Sequence, residues 1–176
     1  KLLDSDVMSE KREAFDRAVF LEAMDQNKKI LAICAGAQHA NVILGGDLIE
    51  DIPTLIKNYI NHGVFNGAAN IHAVNTTNKN SLLYKTIRKK TFNVKSSHHQ
   101  CINTPGKGVV VTAKAEDNTI EAIELVGQKN FIGVQWHPEI MPKSEDTTNI
   151  FFNFFVIIYA VAAGTTINDI TKIDPT

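Results

Sequence analysis

The stretch Lys29-Ile30-Leu31-Ala32-Ile33-Cys34-Ala35-Gly36-Ala37-Gln38 decides how this chain folds. Residues 29–34 are an apolar run without polar alternation, the pattern of a strand buried on both faces of a parallel sheet. Residues 37–44 are helical in composition and stop at Gly45-Gly46, a suitable helix C-cap. A strand, a corner of small residues and a helix in succession place Cys34 at the carboxyl end of a parallel strand. Open α/β sheets hold their ligands there. An isolated cysteine in an apolar strand is more often an inert core residue than a reactive one. Here Ala32 and Gly36, two residues before and two after, leave room for the sharp turn of a nucleophile elbow. The helix that follows sets its positive end beside the sulfur, where negative charge is stabilised.

Working outward, residues 9–25 carry apolar side chains at Ala14, Phe15, Ala18, Val19, Leu21 and Ala23, a helical spacing, with Ser9 as N-cap. Downstream, the pattern predicts a short strand at 71–74 and further strands at 92–95, 108–115, 120–125 and 131–135. Asp117-Asn118 reads as a hairpin turn between two of them, and a last helix is expected over about 148–163. The order is α/β with an antiparallel extension, in a single domain spanning 1–176.

A thiol nucleophile needs a base, and the base an orienting group. Gly133-Val134-Gln135-Trp136-His137-Pro138-Glu139 offers both. The proline biases His137 to an extended backbone, so that residues two apart point the same way and Glu139 can lie beside the imidazole. His98-His99 invites a metal reading, but adjacent histidines in a strand point to opposite faces, so no metal site is expected there.

Composition excludes several classes of function. The 176 residues are 44% hydrophobic and 21% charged, and 18 basic against 19 acidic side chains give a net charge of -1. No basic excess points to nucleic acid. Two cysteines, Cys34 and Cys101, are too few for a disulfide framework and fit a reducing, cytoplasmic setting. The longest apolar run, 151–163, is interrupted by Asn153 and falls well short of the roughly 20 residues that span a bilayer. Neither a membrane nor a nucleic-acid partner is expected.

These motifs resemble a known family. Ile33-Cys34-Ala35-Gly36-Ala37-Gln38, followed by Asn41-Val42 and Gly45-Gly46, is similar to the nucleophile segment of class I glutamine amidotransferases. Residues 133–139 resemble their His-Pro-Glu segment. Val94-Lys95-Ser96-Ser97-His98-His99-Gln100 and the hairpin at 115–124 resemble the gamma-glutamyl-gamma-aminobutyrate hydrolase subgroup. The resemblance implies a flavodoxin-like three-layer sandwich with a mostly parallel central sheet. It also implies roles: Cys34 attacks a side-chain amide and forms a gamma-glutamyl thioester, His137 is acid and base, and Glu139 orients it. The backbone N–H of Ala35 supplies an oxyanion donor, while Gln38, Ser96, His98 and His99 hold the glutamyl part of the substrate. It implies neither a cofactor nor a metal. Two other readings compete: a glutaminase domain that delivers ammonia to a synthetase, and an inactive amidotransferase-like binding module.

The chain departs from the family at Ala32, where Gly is common, at Ala35, where the subgroup usually has Arg, and at Lys95, in place of a usual Asn. Only 33 residues precede Cys34, too few for the strands that the family places earlier. The expectation is a sheet whose N-terminal strands lie outside this sequence, or are supplied by a homodimer or another chain. The second oxyanion donor of the family lies in that front portion.

Overall fold

The computed structural model describes residues 8–63, 69–141 and 157–159. Helix α1 (Glu10–Asp25) begins at the expected cap, where the Ser9 side chain accepts from the N–H of Arg12. Its buried face is formed by Asp16, Phe20 and Ala23, whereas Phe15 and Leu21 are exposed. The inward stripe is therefore narrower than the apolar positions suggested. Asp16 is tolerated on that face because the Arg12 guanidinium bonds its carboxylate at 2.6 Å.

Strand β1 (Ile30–Ile33) is wholly buried. It leads through Cys34 into α2 (Ala35–Ile43), followed by the short β2 (Leu48–Ile49) and α3 (Ile52–Leu55). Then come β3 (Asn70–Thr76), α4 (Leu82–Ile87), β4 (Thr91–Ser96), β5 (Cys101–Ile102), β6 (Val109–Ala115), β7 (Ile120–Leu125) and β8 (Phe131–Val134). A 3-10 turn covers Pro138–Ile140, and β9 spans Ile157–Tyr159. The predicted 148–163 helix is corrected at 157–159, which pair with β1 as a parallel strand; the rest of that span lies outside the described residues. A run such as Ile-Ile-Tyr suits a strand beside an apolar neighbour as well as it suits a helix.

The main sheet runs β4-β3-β6-β7-β8-β1-β9. Strand β1 is parallel to both neighbours, β8 and β9, and the strands from β8 to β4 pair antiparallel. The mixed α/β class is as expected, with the antiparallel extension forming the larger part among the described residues. Alternation along β1 divides the core into two layers. Ile30 and Ala32 face α1 and α2, packing with Phe20, Ala37, Ala40 and Phe131. Leu31 and Ile33 face the other way, with Val94, Leu83, Ile132 and Trp136.

Small residues let α2 lie close to the sheet. A Cβ on Gly133 would stand 2.7 Å from Ile123 Cγ1 and 3.2 Å from Ala37 Cβ. At the other end of α2, fully buried Asn41 acts as a polar staple. Its amide donates to the carbonyls of Asp47 and Thr104 at 3.2 and 3.1 Å and accepts from the N–H of Gly106 at 2.8 Å. Asn41→Ala strands these backbone groups away from water, and the expected loss is about 3 kcal/mol. Chemical denaturation with an unchanged m-value reads it directly.

Candidate active site

The elbow forms at Cys34, whose backbone adopts φ 50° and ψ -111°. A side chain at positive φ outside the small left-handed well is strained by about 1–3 kcal/mol, and such strain persists where surroundings hold it. Two anchors hold it here: the Cys34 N–H donates to the Val134 carbonyl at 2.8 Å, and its carbonyl accepts from the N–H groups of Ala37 and Gln38. Cys34 is therefore at once the end of β1 and the N-cap of α2. The N–H of Ala35 stands in the first turn of α2, where a helix leaves its donors without an intrahelical acceptor.

Strand β8 delivers the partner. His137 follows three residues after Val134, and its N–H is fastened to the Lys95 carbonyl at 2.9 Å. The imidazole Nδ1 lies 2.6 Å from Glu139 Oε1, the pairing that the His-Pro-Glu spacing predicted. The Cys34 side chain also acts on the ring and favours its charged form. Burial alone would push the His137 pKa down, but the influence of Cys34 and Glu139 outweighs it and raises it to about 10. The imidazole thus answers to both a sulfur and a carboxylate, the two partners that a thiol–imidazole–carboxylate relay needs.

Sequence reasoning assigned no role to Gln135. Buried in the same strand end, its Nε2 lies 3.6 Å from Cys34 Sγ, and its Oε1 accepts from Gln38 Nε2 at 3.1 Å. Gln38 also donates to the Gln100 carbonyl at 2.9 Å. Both amides are consumed in holding the floor beneath the sulfur. The alternation of strand 131–135 was the available signal, since a polar residue at its buried end needs partners.

The remaining predicted substrate residues fall into two environments. His99 is half-exposed and pairs with Asp51 at 3.3 Å. Ser96 and His98 are buried and face a second cluster with His62, His72, Asp117 and Glu121. His62 Nε2 lies 2.9 Å from Asp117 Oδ2, and its Nδ1 lies 3.2 Å from Glu121 Oε1. Burial would lower the His62 pKa, yet the proximity of those two carboxylates raises it to about 9. For His72 burial prevails and its pKa is lowered. Cys101 is buried nearby, and desolvation, with Glu121 and Asp117 adding to it, pushes its thiol up to about 12, as befits an inert core residue.

The family model of peptidase C26 matches residues 1–139, which include Cys34, His137 and Glu139. This chain belongs to the peptidase C26 family. Its fold is that of class I glutamine amidotransferases: it superposes on a glutamine amidotransferase from Thermotoga maritima with a TM-score of 0.59 at 13% identity, over 85% of this chain and 59% of that one. Among curated relatives it is similar to protein NtpR of Enterococcus hirae, 36% identical over 89% of this chain and 64% of the relative. It is also 27% identical to the gamma-glutamyl-gamma-aminobutyrate hydrolase PuuD of Escherichia coli, over 82% of this chain and 59% of the relative. The chain thus spans about six-tenths of the length of these peptidase C26 relatives. The family is hydrolase- and amidotransferase-like, and among the described residues no helix is long and apolar enough to cross a membrane.

Proposed function

We propose that this chain carries the catalytic residues of a cysteine-dependent hydrolase of gamma-glutamyl amides. The observation that carries the reading is the strained Cys34 elbow together with an imidazole that Glu139 orients and whose charge Cys34 favours. In this reading Cys34 Sγ attacks the side-chain amide carbonyl with its proton already held on His137. The tetrahedral oxyanion gathers at the N–H of Ala35. His137 then gives the proton to the departing amine, and the C–N bond breaks to leave a gamma-glutamyl thioester on Cys34. Water attacks that thioester, losing a proton to His137. The C–S bond breaks, His137 keeps the proton beside the released sulfur as at the start, and the gamma-carboxylic acid leaves, giving its proton to solvent. Gln38 acts through Gln135, which it steadies beside the sulfur. His99 offers a partly exposed polar contact to the glutamyl part, and Ser96 and His98 extend from the segment whose Lys95 carbonyl holds His137.

The thioester makes this testable. The full-length protein, incubated with a panel of gamma-glutamyl amides and quenched in acid, is expected to carry a gamma-glutamyl adduct on Cys34 and none on Cys101, read by peptide mass spectrometry. Turnover of the panel without any Cys34 adduct, and at the same rate in Cys34→Ala, would sink the reading. Hydrolysis of glutamine alone, and only with a synthetase added, would replace it with the ammonia-delivering one.

A further inference from the structure

The buried cluster at the far end of the β6–β7 hairpin has a polarity that its own atoms do not resolve. Each of its three imidazoles has one nitrogen engaged by an outer oxygen. For His62 that is Nε2 with Asp117 Oδ2 at 2.9 Å, for His72 Nδ1 with the Ala73 carbonyl at 3.2 Å, and for His98 Nδ1 with the Gln100 carbonyl at 2.9 Å. Oxygen acceptors on the outside require N–H there, so in each neutral ring the inner nitrogen carries a lone pair. These inner nitrogens converge on Glu121 Oε1, at 3.2 Å from His62 Nδ1, 3.6 Å from His72 Nε2 and 3.7 Å from His98 Nε2. With all three rings neutral, as metal ligation requires, four acceptor atoms face one another in a site whose four residues are buried, Glu121 completely so.

The donors at hand do not suffice. The Ser96 hydroxyl, 2.9 Å from His72 Nε2, brings one hydrogen. His62 Nδ1, His98 Nε2 and both carboxylate oxygens of Glu121 have no hydrogen-bond partner. A proton on His62 would settle its edge with Glu121 but leave His98 Nε2 still facing a lone pair. A cation of charge two settles every edge at once.

We propose that His62, His72, His98 and Glu121 bind a divalent transition-metal cation, with Zn2+ the best match to three imidazoles and a carboxylate. Ligand bonds of about 2.0–2.2 Å in a tetrahedron separate the donor atoms by roughly 3.4 Å. The three distances to Glu121 straddle that value, and all four ligand atoms already lie within 4.8 Å of one another. The outer partners are those of a metal centre, where each ligating imidazole donates its second N–H to a carboxylate or carbonyl that fixes its orientation. Gly63 lets the His62 loop approach: its φ is +91°, and a Cβ there would fall 2.4 Å from the Ser96 carbonyl.

Four protein ligands close the coordination sphere, so the ion's role is structural. It ties the 62 loop, β3, the end of β4 and β7 into one rigid corner. That corner touches the Cys34 site twice through the backbone. Gln135 N–H donates to the Glu121 carbonyl at 2.8 Å, and His137 N–H donates to the Lys95 carbonyl one residue before Ser96.

The test titrates the chelator-stripped full-length protein with Co2+ and follows its visible spectrum. Expected are one equivalent bound per chain, the strong bands of tetrahedral Co2+, no thiolate charge-transfer band, and displacement by Zn2+ with a rise in Tm. Asp117→Asn, which alters an outer partner only, is expected to weaken binding about 10–100-fold, and Glu121→Gln to weaken it further. Absence of stoichiometric uptake by the folded protein overturns the proposal. So does a thiolate band, which would place the ion on Cys34 or Cys101, and so does full affinity in a folded Glu121→Gln variant. The wild-type spectrum decides the matter even if the variants fail to fold.

Discussion

If the proposed function holds, Cys34→Ala and Cys34→Gly are both expected to lose gamma-glutamyl hydrolysis by about 10⁴–10⁶-fold, as when the nucleophile of a coupled relay is removed, while the glycine variant is expected to be the more stable of the two. The second half of this result comes from the elbow. At most positions glycine is less stable than alanine by roughly 0.5–1 kcal/mol, because its unfolded chain has more freedom to lose. At φ 50° and ψ -111° the sign reverses, since alanine keeps the Cβ that makes the conformation costly and glycine does not. The expected gap is about 1 kcal/mol in favour of glycine, measured by urea unfolding of the two inactive proteins. If Cys34→Ala is the more stable, the elbow is not strained as described. If either variant keeps wild-type turnover, the thiol is not the nucleophile.

Glu139→Gln is expected to lower kcat/KM by about 10²–10⁴-fold and to move its alkaline limb toward neutrality. The sign follows from the His137 pKa, raised from 6.5 to about 10 in the folded protein. A group held more basic by folding contributes stability that is complete below its unfolded pKa and drains away as pH rises through the folded one. The charged imidazole is thus favoured up to about pH 10. A neutral amide at 139 removes one of the two influences that sustain that charge, so the ring loses its proton at lower pH. Both the pH profile of kcat/KM and the pH dependence of Tm report it. An alkaline limb that stays in place would show that Glu139 does not tune His137, whatever the rate.

Much of this geometry was legible because it is local. The β1 run, the small residues around Cys34 and the His-Pro-Glu spacing each specify a conformation within a few residues. The structure brings the imidazole and carboxylate together as those spacings require. The hairpin turn at Asp117-Asn118 was equally legible, with Asn118 at φ 70°. The histidine cluster was not. His62 lies in a loop, His72 in β3, His98 beyond β4 and Glu121 in β7, and only the pairing of strands distant in sequence gathers them. Glu121 alone left a trace. It and Glu124 sit at odd and even positions of one wholly buried strand, so each carboxylate needed its own partners on its own face. Glu124 found them in the N–H groups of Leu82 and Leu83 at the start of α4. The exposed Phe15 and Leu21 of α1 failed for a different reason: periodicity shows which residues share a stripe, not which stripe a neighbour covers.

The parallel pairing of β1 with β8 has a further consequence. Ile33 lies in register with Val134, and the thiol and the imidazole leave the sheet from these two neighbouring strand ends. The starting points of the two segments are therefore set by the pitch of the sheet, about 4.8 Å between adjacent strands, and the Lys95 carbonyl fixes where His137 comes to rest. Loops that meet the substrate can lengthen, shorten or change composition without moving either. In the proposed reading, diversification of what is cleaved can then proceed at the periphery, while the two segments that carry the thiol and the imidazole keep their starting points.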